Sequence, residues 1–515
     1  MLKKTFSLTI LVLFLSCKSK TEKKVVEGEE QNVYKELYRP QYHFSPPQMW
    51  MNDPNGLVYH EGVYHLFYQY YPEDIVWGPM HWGHAISDDL LHWKHRPIAL
   101  YPDEHGFIFS GSAVVDKNNT SGFGVDEEIP LVAIFTYHLM EGEKQGRKDF
   151  QTQGIAYSLD NGETWKKYLG NPVIGNEGIK DFRDPKVFWY EDTQSWILSL
   201  VAGDHAKFYT SKDLKNWKYL SEFGKYNGAH GGVWECPDLF PLKVEGSDEE
   251  KWVLIISINP GAPNGGSGTQ YFIGDFDGTS FTSDQKEPKW LDYGTDNYAG
   301  VTYNNTPNGD RIFIGWMSNW DYARDTPTKK WRSAMTVPRK LALKKNEDDY
   351  LLTNMPVKQI NGLAASTLKK DINVPPKTSD TFKIDDLNQS QIDFTTASRN
   401  FKLIFSNDLN ETLTLTMDSK SKGFIIDRMY SGKIDFQSEF GNKKHFMPFE
   451  RTNSKPYEVI ILMDWSSIEV FLDNGTYVMT EQIFPTKPYN MLVIENLDEQ
   501  ATIENGHIKH LKSIW

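Results

Sequence analysis

The chain has 515 residues, too many for one ordinary hydrophobic core, so its length predicts two or three domains. Its net charge of −14 repels phosphate backbones and other anionic polymers, which argues against nucleic-acid binding. Aromatic residues make up 14% of the chain, with 16 Trp and 26 Tyr, and flat rings in this number suit stacking on sugars.

The N-terminus has the pattern of an export signal. A basic start, MLKK, precedes the apolar run FSLTILVLFLS and then Cys17. The run is too short to span a bilayer as a mature helix. Its end resembles a bacterial lipobox, so we predict a signal over 1–17 and a lipid anchor on Cys17, with plain cleavage and secretion as the alternative. The anchor would hold an exported protein at a bacterial membrane, on its periplasmic or outer face, and would be its only membrane contact.

The segment after Cys17 is polar, charged and aperiodic, and residues 18–38 are expected to form a disordered tether. The second and last cysteine is Cys236, so no intramolecular disulfide is expected once Cys17 is removed or acylated. The chain has no CxxC motif and no His/Cys cluster, which argues against a zinc site.

Residues 39–345 show almost no helical periodicity and carry two internal repeats. The first repeat is a Ser, an Asp and a later aromatic residue, and each copy is typical of a strand, a polar turn and another strand. Its copies are AISDDLLHW (Ser87 to Trp93), AYSLDNGETW (Ser158 to Trp165), YTSKDLKNW (Ser211 to Trp217) and the degenerate GDFDGTSF (Gly274 to Phe281).

The second repeat is an acid beside a proline at the start of an apolar hairpin. It occurs at Asp53 (NDPNGLVYH), at Asp184 (RDPKVFWYE) and, more loosely, at Asp238 (CPDLFPLKV). Repeating units of about 50–70 residues suggest four-stranded blades, so we predict a β-propeller of about five blades over 39–345.

The inner strand of every propeller blade begins near the central axis, so acids at equivalent places converge on one funnel. By the repeat, Asp53 and Asp184 are equivalent, and Glu235 lies three residues before Asp238 on the same rim. Three carboxylates in one cleft raise each other's pKa and are costly unless they are used.

The remaining chain has a different pattern. Residues 346–369 are expected to form a linker with one short helix. Residues 370–515 alternate polar and apolar, with a hairpin signal, DNG, at Asp473, and predict a β-sandwich. The fold class is therefore all-β. The sandwich is expected to pack against the propeller, and a sugar-binding role is the alternative.

Two carboxyl groups can hydrolyse a glycosidic bond, with retention when they are close and inversion when they are farther apart. The turn around Asp53 offers hydrogen-bond donors that suit an ionised nucleophile. Glu235, flanked by Trp234, Cys236 and Pro237, suits the acid that carries a proton, and Asp184 beside Arg183 suits a fixed anion.

Plainer interpretations of these acids stay open at this point. An Asp in a turn often binds only its own backbone, as Asp53 would. The pair of Arg183 and Asp184 could be a structural salt bridge. Asp238 rivals Glu235 on spacing alone. The catalytic hypothesis depends on all three acids together with the repeat.

At these residues the sequence resembles glycoside hydrolase family 32, the invertase, inulinase and levanase family. The resemblance runs from residue 40 to the end and rests on eight strings in the family's order: WMNDPNG, WGHAIS, FSGS, RDPKV, WECPDLF, LDYGTDNYA, GWMSNW and SIEVFLDNG. The family fold is a five-bladed propeller followed by a β-sandwich, which agrees with the blade count.

The resemblance implies a retaining fructosidase without a metal or organic cofactor. Asp53 would be the nucleophile, Glu235 the acid/base, and Asp184 the stabiliser of the transition state. Cys236 beside the acid is assigned a supporting role. The positions that match the family's fructose pocket are Asn52, Gln69, Trp77, Phe109, Ser110, Arg183 and Trp316.

The favoured function is release of terminal fructose from fructans, because family members with endo action tend to carry Glu where Asp53 stands. The pocket motifs fit levan and inulin alike, and sucrose offers the same terminal unit. The loops expected to distinguish the linkages are 71–79 and 321–328. Endo action, a fructosyltransferase and a non-catalytic fructan-binding propeller are the alternatives, and the oligomeric state is left open.

Overall fold

The structure, a computed structural model, describes residues 34–347, 349–449, 451 and 455–515. These residues form 35 strands in seven sheets and a single short α-helix. The predicted all-β architecture, a five-bladed propeller followed by a sandwich, is confirmed. Over the described ranges, no helix combines the length and the apolar character needed to cross a membrane. The predicted signal and Cys17 lie outside the described residues.

The first two blades are antiparallel sheets in which neighbouring strands follow one another in sequence, as short apolar runs separated by turn residues favour. Blade I consists of β1 (Met49–His60), β2 (Val63–Tyr71), β3 (His81–Ser87) and β4 (Lys94–Leu100). Blade II consists of β5 (Phe107–Val115), β6 (Leu131–His138), β7 (Gln151–Ser158) and β8 (Lys166–Lys167), with helix α1 (Met140–Lys144) between β6 and β7.

The next three blades repeat this plan. Blade III consists of β9 (Phe182–Tyr190), β10 (Ser195–Ala202), β11 (Ala206–Ser211) and β12 (Trp217–Phe223). Blade IV consists of β13 (Val233–Lys243), β14 (Glu250–Asn259), β15 (Gly268–Phe276), β16 (Phe281–Thr282) and β17 (Lys289–Trp290). Blade V contains β18 (Tyr298–Thr302), β19 (Arg311–Met317), β21 (Ala334–Met335), β22 (Arg339–Asn346) and β23 (Asp349–Pro356), and β20 (Trp331–Arg332) joins blade I beside β1.

The five inner strands close a ring around the propeller axis. Each of β1, β5, β9, β13 and β18 packs on the inner strand of the next blade, and β18 packs back on β1. Apolar side chains from facing blades fill the spaces between them, with four fully buried tryptophans among the largest. Apolar packing therefore holds neighbouring blades together.

Each inner strand carries a β-bulge at the same place, where two of its residues face one residue of the second strand. The bulged pairs are Asn52 and Asp53, Phe109 and Ser110, Asp184 and Pro185, Cys236 and Pro237, and Ala299 and Gly300. Asp53 is the second residue of its bulge, whereas Asp184 is the first. The prediction that these two acids are equivalent is thus wrong by one residue, because the Asp-Pro pairs do not share a register.

The Ser–Asp–Trp repeat has a structural cause in the turn between the third and fourth strands. The Ser hydroxyl hydrogen-bonds the Asp carboxylate at 3.1 Å in blade I, 2.7 Å in blade II and 3.0 Å in blade III. The same carboxylate accepts backbone N–H groups of the turn, as in the 2.9 Å bond from Leu91 to Asp89. In the degenerate fourth copy, Asp277 accepts the N–H groups of Thr279 and Ser280. The repeat therefore marks the blades without contributing to the axis.

The C-terminal domain is a sandwich of two six-stranded sheets, which the alternating burial of its strands produces. One sheet contains β24 (Ala364–Val374), β26 (Ser390–Thr396), β31 (Tyr457–Asp464), β32 (Ser467–Leu472), β33 (Tyr477–Gln482) and β35 (Ile503–Leu511). The other contains β25 (Ser379–Lys383), β27 (Asn400–Ser406), β28 (Thr412–Asp418), β29 (Gly423–Tyr430), β30 (His445–Pro448) and β34 (Met491–Asn496).

Buried charges join the two domains. Arg339 of blade V donates to Glu469 of the sandwich at 2.6 Å, and both side chains are inaccessible to solvent. His43, which precedes blade I, bridges Glu469 and Asp464 with its two ring nitrogens, each at 2.8 Å. These contacts favour the structural role of the sandwich, since it anchors the start and the end of the propeller.

Two predicted boundaries differ from the structure. The sequence predicts a linker over 346–369, but Asp349–Pro356 forms the outermost strand of blade V, and the connection reduces to a 3₁₀ turn, Lys358–Leu363. The sequence predicts a tether that reaches residue 38, but the ring of Tyr34 stacks on Trp515 at 3.8 Å and Tyr38 is buried. Both segments are aromatic enough to pack, which their polar neighbours obscure in the sequence.

Candidate active site

A cavity of about 290 Å³ opens at the start of the inner strands, over the bulges. Asp53, Asp184 and Glu235 line it from blades I, III and IV. The convergence that the repeats predict is therefore present in the fold, although the bulge register differs. Fourteen further residues from the strands and the surrounding loops line the cavity, among them Asn52, Gln69, Trp77, Phe109, Ser110, His138, Asp181, Arg183 and Trp320.

Asp53 is held by short hydrogen bonds. Ser110 Oγ donates to its Oδ2 at 2.6 Å, and Asn52 Nδ2 donates to its Oδ1 at 3.0 Å. Asn52 is itself fixed, because its Oδ1 accepts the indole N–H of Trp50 at 2.8 Å. Burial raises the pKa of Asp53, the charge of Glu235 raises it further, and the two donated hydrogen bonds lower it.

Asp184 lies deeper than Asp53 and has a left-handed backbone, with φ of 65°. Its N–H donates to Thr136 Oγ1 at 2.9 Å, and its Oδ2 accepts the N–H of Cys236 at 3.0 Å. Burial raises the pKa of Asp184 to about 7, against the opposing charge of Arg183. The sequence predicts that Asp184 beside Arg183 is a fixed anion, but the charge of Arg183 offsets only part of the cost of burial.

Cys236 lies between the two aspartates. Its Sγ is 3.7 Å from Oδ2 of Asp53 and 3.7 Å from Oδ2 of Asp184. Burial raises the pKa of the thiol well above its ordinary value, and the neighbouring carboxylates add to this. A protonated thiol suits a weak donor that bridges two acids, and does not suit a nucleophile.

Both carboxylate oxygens of Glu235 accept hydrogen bonds. Arg183 contacts Glu235 Oε1 through Nε at 3.2 Å and through Nη2 at 3.0 Å, and the hydroxyl of Tyr298 donates to Oε2. Arg183 also binds Asp181 at 2.8 Å, whereas its Nε is 3.9 Å from Asp184. Burial alone would lower the pKa of the Arg183 guanidinium, but the neighbouring carboxylates, led by Glu235, raise it.

The alternative acid does not reach the cavity. Asp238 is buried beneath it, where its Oδ2 accepts the N–H of Thr302 at 2.6 Å and lies 3.4 Å from the ammonium of Lys186. Asp238 is thus a structural partner in the propeller axis, and Glu235 is the acid that faces the open side.

Six of the seven residues predicted for the fructose pocket line the cavity, and one does not. The ring of Trp316 is fully buried, 6.3 Å from Trp50 and 4.9 Å from Trp320. Trp320, four residues further on, presents its ring to the cavity instead. Trp316 therefore supports the wall from behind.

The structure adds residues that the sequence reasoning missed. His138 stacks on Phe109 at 4.2 Å, and its Nε2 lies 3.0 Å from Glu143 of α1. On the other side, the guanidinium of Arg324 lies 5.3 Å from the ring centroid of Trp320. Arg324 falls in the loop 321–328 that the sequence marked only by position. Within the described ranges, no cluster of three or more His, Cys, Asp or Glu side chains has a geometry that could hold a metal ion.

Comparison with known families gives a consistent result. The family model described as "Glycosyl hydrolases family 32 N-terminal domain" matches residues 43–355, and that described as "Glycosyl hydrolases family 32 C terminal" matches residues 358–510. A levanase of Bacillus subtilis is 46% identical over 500 residues, which cover 95% of this chain and 72% of the levanase. An extracellular exo-inulinase of Aspergillus niger is 42% identical over 492 residues, which cover 88% of this chain and 90% of the relative.

Solved structures are similar over the same extent. An exo-inulinase from Aspergillus awamori has a TM-score of 0.85 and 38% identity, and the match covers 94% of this chain and all of the relative. A fructofuranosidase from Schwanniomyces occidentalis, complexed with fructosylnystose, has a TM-score of 0.84 and 34% identity, with 93% and 99% covered.

Proposed function

The chain belongs to glycoside hydrolase family 32, and from this we infer that it is an exo-acting fructan hydrolase that releases terminal β-D-fructofuranosyl residues. The observation that carries the assignment is the meeting of Asp53, Glu235 and Asp184 from three blades in one cavity. A propeller that only captured glycans would have no need to bury two carboxyl groups with raised pKa values. We propose the individual roles of these residues as follows.

In the first step Asp53 attacks the anomeric carbon of the terminal fructosyl unit. The hydrogen bonds from Ser110 and Asn52 favour its ionised form and fix the orientation of its carboxylate. Glu235 gives its proton to the departing glycosidic oxygen, so the chain leaves as an alcohol and the fructosyl group is bonded to Asp53.

In the second step Glu235 takes a proton from water, and the hydroxide attacks the same carbon and frees Asp53. Two displacements at one carbon return the original configuration. Arg183 and Tyr298 hold the Glu235 carboxyl in one orientation through both steps. Asp184 is suited to bind sugar hydroxyls and to stabilise the positive charge that develops on the ring.

The substrates we propose are levan and inulin, with sucrose as a third donor of the same terminal unit. The levanase and exo-inulinase relatives, at 46% and 42% identity, support both polymers. A cavity of about 290 Å³ suits the end of a chain, and a complex of the Schwanniomyces relative contains fructosylnystose. Trp320 and Arg324 line the cavity beyond the acids, and we propose that they contact the second sugar and set the linkage preference.

The decisive experiment incubates the purified protein with levan, inulin and sucrose and separates the products by chromatography. Fructose as the sole early product from the polymers is expected. A ladder of oligosaccharides would replace the exo assignment with endo action, and growth of oligosaccharides at high sucrose would indicate a fructosyltransferase. No release from any fructan would overturn the function.

A second measurement tests retention. In the presence of methanol, a fructosyl-enzyme intermediate transfers its sugar to the alcohol as well as to water. Methyl β-D-fructofuranoside is the expected product, and the α anomer would contradict attack by Asp53 in two displacements.

We further propose that the protein is exported and anchored by lipid at Cys17. Relatives described as extracellular support export, and the lipobox-like end of the apolar run supports the anchor. Labelled fatty acid is expected in the wild-type protein and in its membrane fraction. The variant Cys17→Ala should lose both, and a membrane-bound, unlabelled wild type would contradict the anchor.

A further inference from the structure

A second cavity, of about 790 Å³, lies at the end of the propeller opposite the active site. The inner strand β9 connects the two, with Asp184 near its start and Tyr190 at its end. Six residues of a strand at about 3.3 Å each separate them by roughly 20 Å. We call this cavity the distal groove and define it by Phe188, Trp189, Tyr190, Glu250, Trp252 and Arg311.

One wall of the distal groove is aromatic. The ring of Trp252 lies 5.5 Å from Phe188, 5.9 Å from Tyr190 and 5.0 Å from Phe276. Phe188, Tyr190 and Trp252 are only half-buried, although the neighbouring core residues of blades III and IV are fully enclosed. The fold therefore leaves a patch of ring surface open to solvent inside a concave site, where it can stack on a ligand.

The groove also holds donors that make no hydrogen bond among the described residues. Within the described residues, no hydrogen bond or ion pair is made by the guanidinium of Arg311, which lies 5.1 Å from the ring centroid of Phe240. The indole N–H of Trp252 likewise has no acceptor among them. Half-buried donors of this kind gain most from a ligand that brings oxygen acceptors.

The charges around the groove are mixed, with a surplus of acids. Asp116, Glu191, Asp192 and Glu250 line it together with Lys117 and Arg311, so an anionic ligand is disfavoured. Rings for stacking, free donors and carboxylate acceptors together match a neutral ligand rich in hydroxyl groups. A chain of neutral sugars has this chemistry.

We propose that the distal groove binds a non-reacting stretch of the fructan polymer. This inference rests on the proposed function, because it assumes that the substrate is long enough to reach both ends of the propeller. A polymer held at the groove keeps its chain ends near the catalytic cavity, which raises their effective concentration without changing the chemistry. The benefit should therefore appear with polymers and disappear with short substrates.

The test compares Trp252→Ala and Arg311→Gln with Tyr226→Ala, which removes a ring that is 86% exposed and does not line the groove. For each variant the half-saturating concentration is measured with levan, with inulin and with a trisaccharide ending in fructose. The groove variants should raise the value for at least one polymer by about tenfold and leave the trisaccharide unchanged. The control should change none of them.

Binding without turnover provides a separate readout. Each substitution is combined with Asp53→Ala, and the retardation of the protein in gels containing levan or inulin is measured. Retardation should persist with Asp53→Ala alone and weaken when either groove residue is also changed. This result would stand even if the proposed hydrolysis failed.

Two results would overturn the proposal. One is that both groove variants fold and keep the wild-type half-saturating concentration for both polymers. The other is that they raise it equally for the polymers and for the trisaccharide. Thermal unfolding checks the fold, and if Trp252→Ala is unfolded the decision falls to Arg311→Gln, which leaves the aromatic wall intact. Inactivity of the unaltered enzyme on all fructans would refute the proposed function instead.

Discussion

The guanidinium of Arg183 holds one carboxylate oxygen of Glu235 with two N–H groups, at 3.2 and 3.0 Å from Oε1. A third nitrogen, Nη1, binds Asp181 at 2.8 Å, so the planar group is fixed at both ends. The arginine thus orients the proposed acid/base directly, and its contact with Asp184 is the longer one.

Arg183→Lys is expected to lower kcat/KM for fructans by about a hundredfold, because a lysine keeps the charge but cannot hold two partners in a plane. The melting temperature should change little. Arg324→Lys, on the rim, serves as the matched control and should affect KM more than kcat. Wild-type kcat in Arg183→Lys would refute the orienting role.

Replacing either proposed catalytic acid by alanine should reduce turnover of fructans by several powers of ten, but for different reasons. An activated aryl group leaves a fructoside without needing a proton from Glu235. With such a substrate, Glu235→Ala should therefore recover much of the rate of the first step, in which the aryl group is released. Asp53→Ala should stay inactive on both substrates. The rate of aryl release is measured by stopped flow. Equal rates in the two variants would contradict the assignment of Asp53 as nucleophile and Glu235 as acid/base.

Ser110→Ala should move the acidic limb of the pH profile of kcat/KM to higher pH. The hydroxyl of Ser110 donates to Asp53 at 2.6 Å and lowers its pKa, so its removal raises that pKa and leaves fewer enzyme molecules ionised at low pH. Loss of one hydrogen bond to a charged group corresponds to a shift of about one pH unit. A profile of unchanged shape would contradict this, with Ser112→Ala as the control.

Asp184→Asn should stabilise the protein at alkaline pH while abolishing activity. The pKa of Asp184 is about 7 in the folded protein, above its ordinary value, because burial disfavours the charge. Folded protein therefore holds this proton more strongly than unfolded protein, and stability falls as pH rises towards 7. The amide removes that cost, so the melting temperature should rise at pH 8 and not at pH 4. The exposed change Asp275→Asn should do neither.

His43 should make the contact between the domains sensitive to alkaline pH. Burial alone would lower its pKa, but Asp464 and Glu469 raise it from 6.5 to about 9. The stabilisation, about 3 kcal/mol, is complete below pH 6.5 and is lost as pH rises through 9. His43→Gln should be less stable at pH 6 and should show a flatter decline of melting temperature towards pH 10. A parallel decline in both proteins would contradict it, with the half-buried His507→Gln as the reference.

The fold was largely predictable because its repeats have local causes. The Ser–Asp pairs of the blade turns make the same hydrogen bonds in three blades, and such bonds leave the same residues at the same spacing. The boundary of blade V was harder to predict, because strand Asp349–Pro356 follows charged residues that are typical of a linker.

The site was predictable in content but less so in geometry. The acids can be recognised in the sequence by the turn residues beside them. Their positions in the β-bulges cannot, because strand pairing decides that Asp53 is the second residue of its bulge and Asp184 the first. The choice between Trp316 and Trp320 depends in the same way on the end of β19. Arg324 and His138 carry no motif, and only the folded loops bring them to the cavity.

The five bulges share the same pairing pattern but carry different side chains. All five lie at the same place along the inner strands, but only the bulges of blades I and III contain an acid, and Glu235 of blade IV directly precedes its bulge. Ser110 occupies in blade II the place that Asp53 occupies in blade I, so a carboxyl group moved there would meet the sugar from a direction a fifth of a turn away. Side-chain substitutions in the five inner strands could therefore change the direction from which a nucleophile attacks the sugar, without any change in the loops.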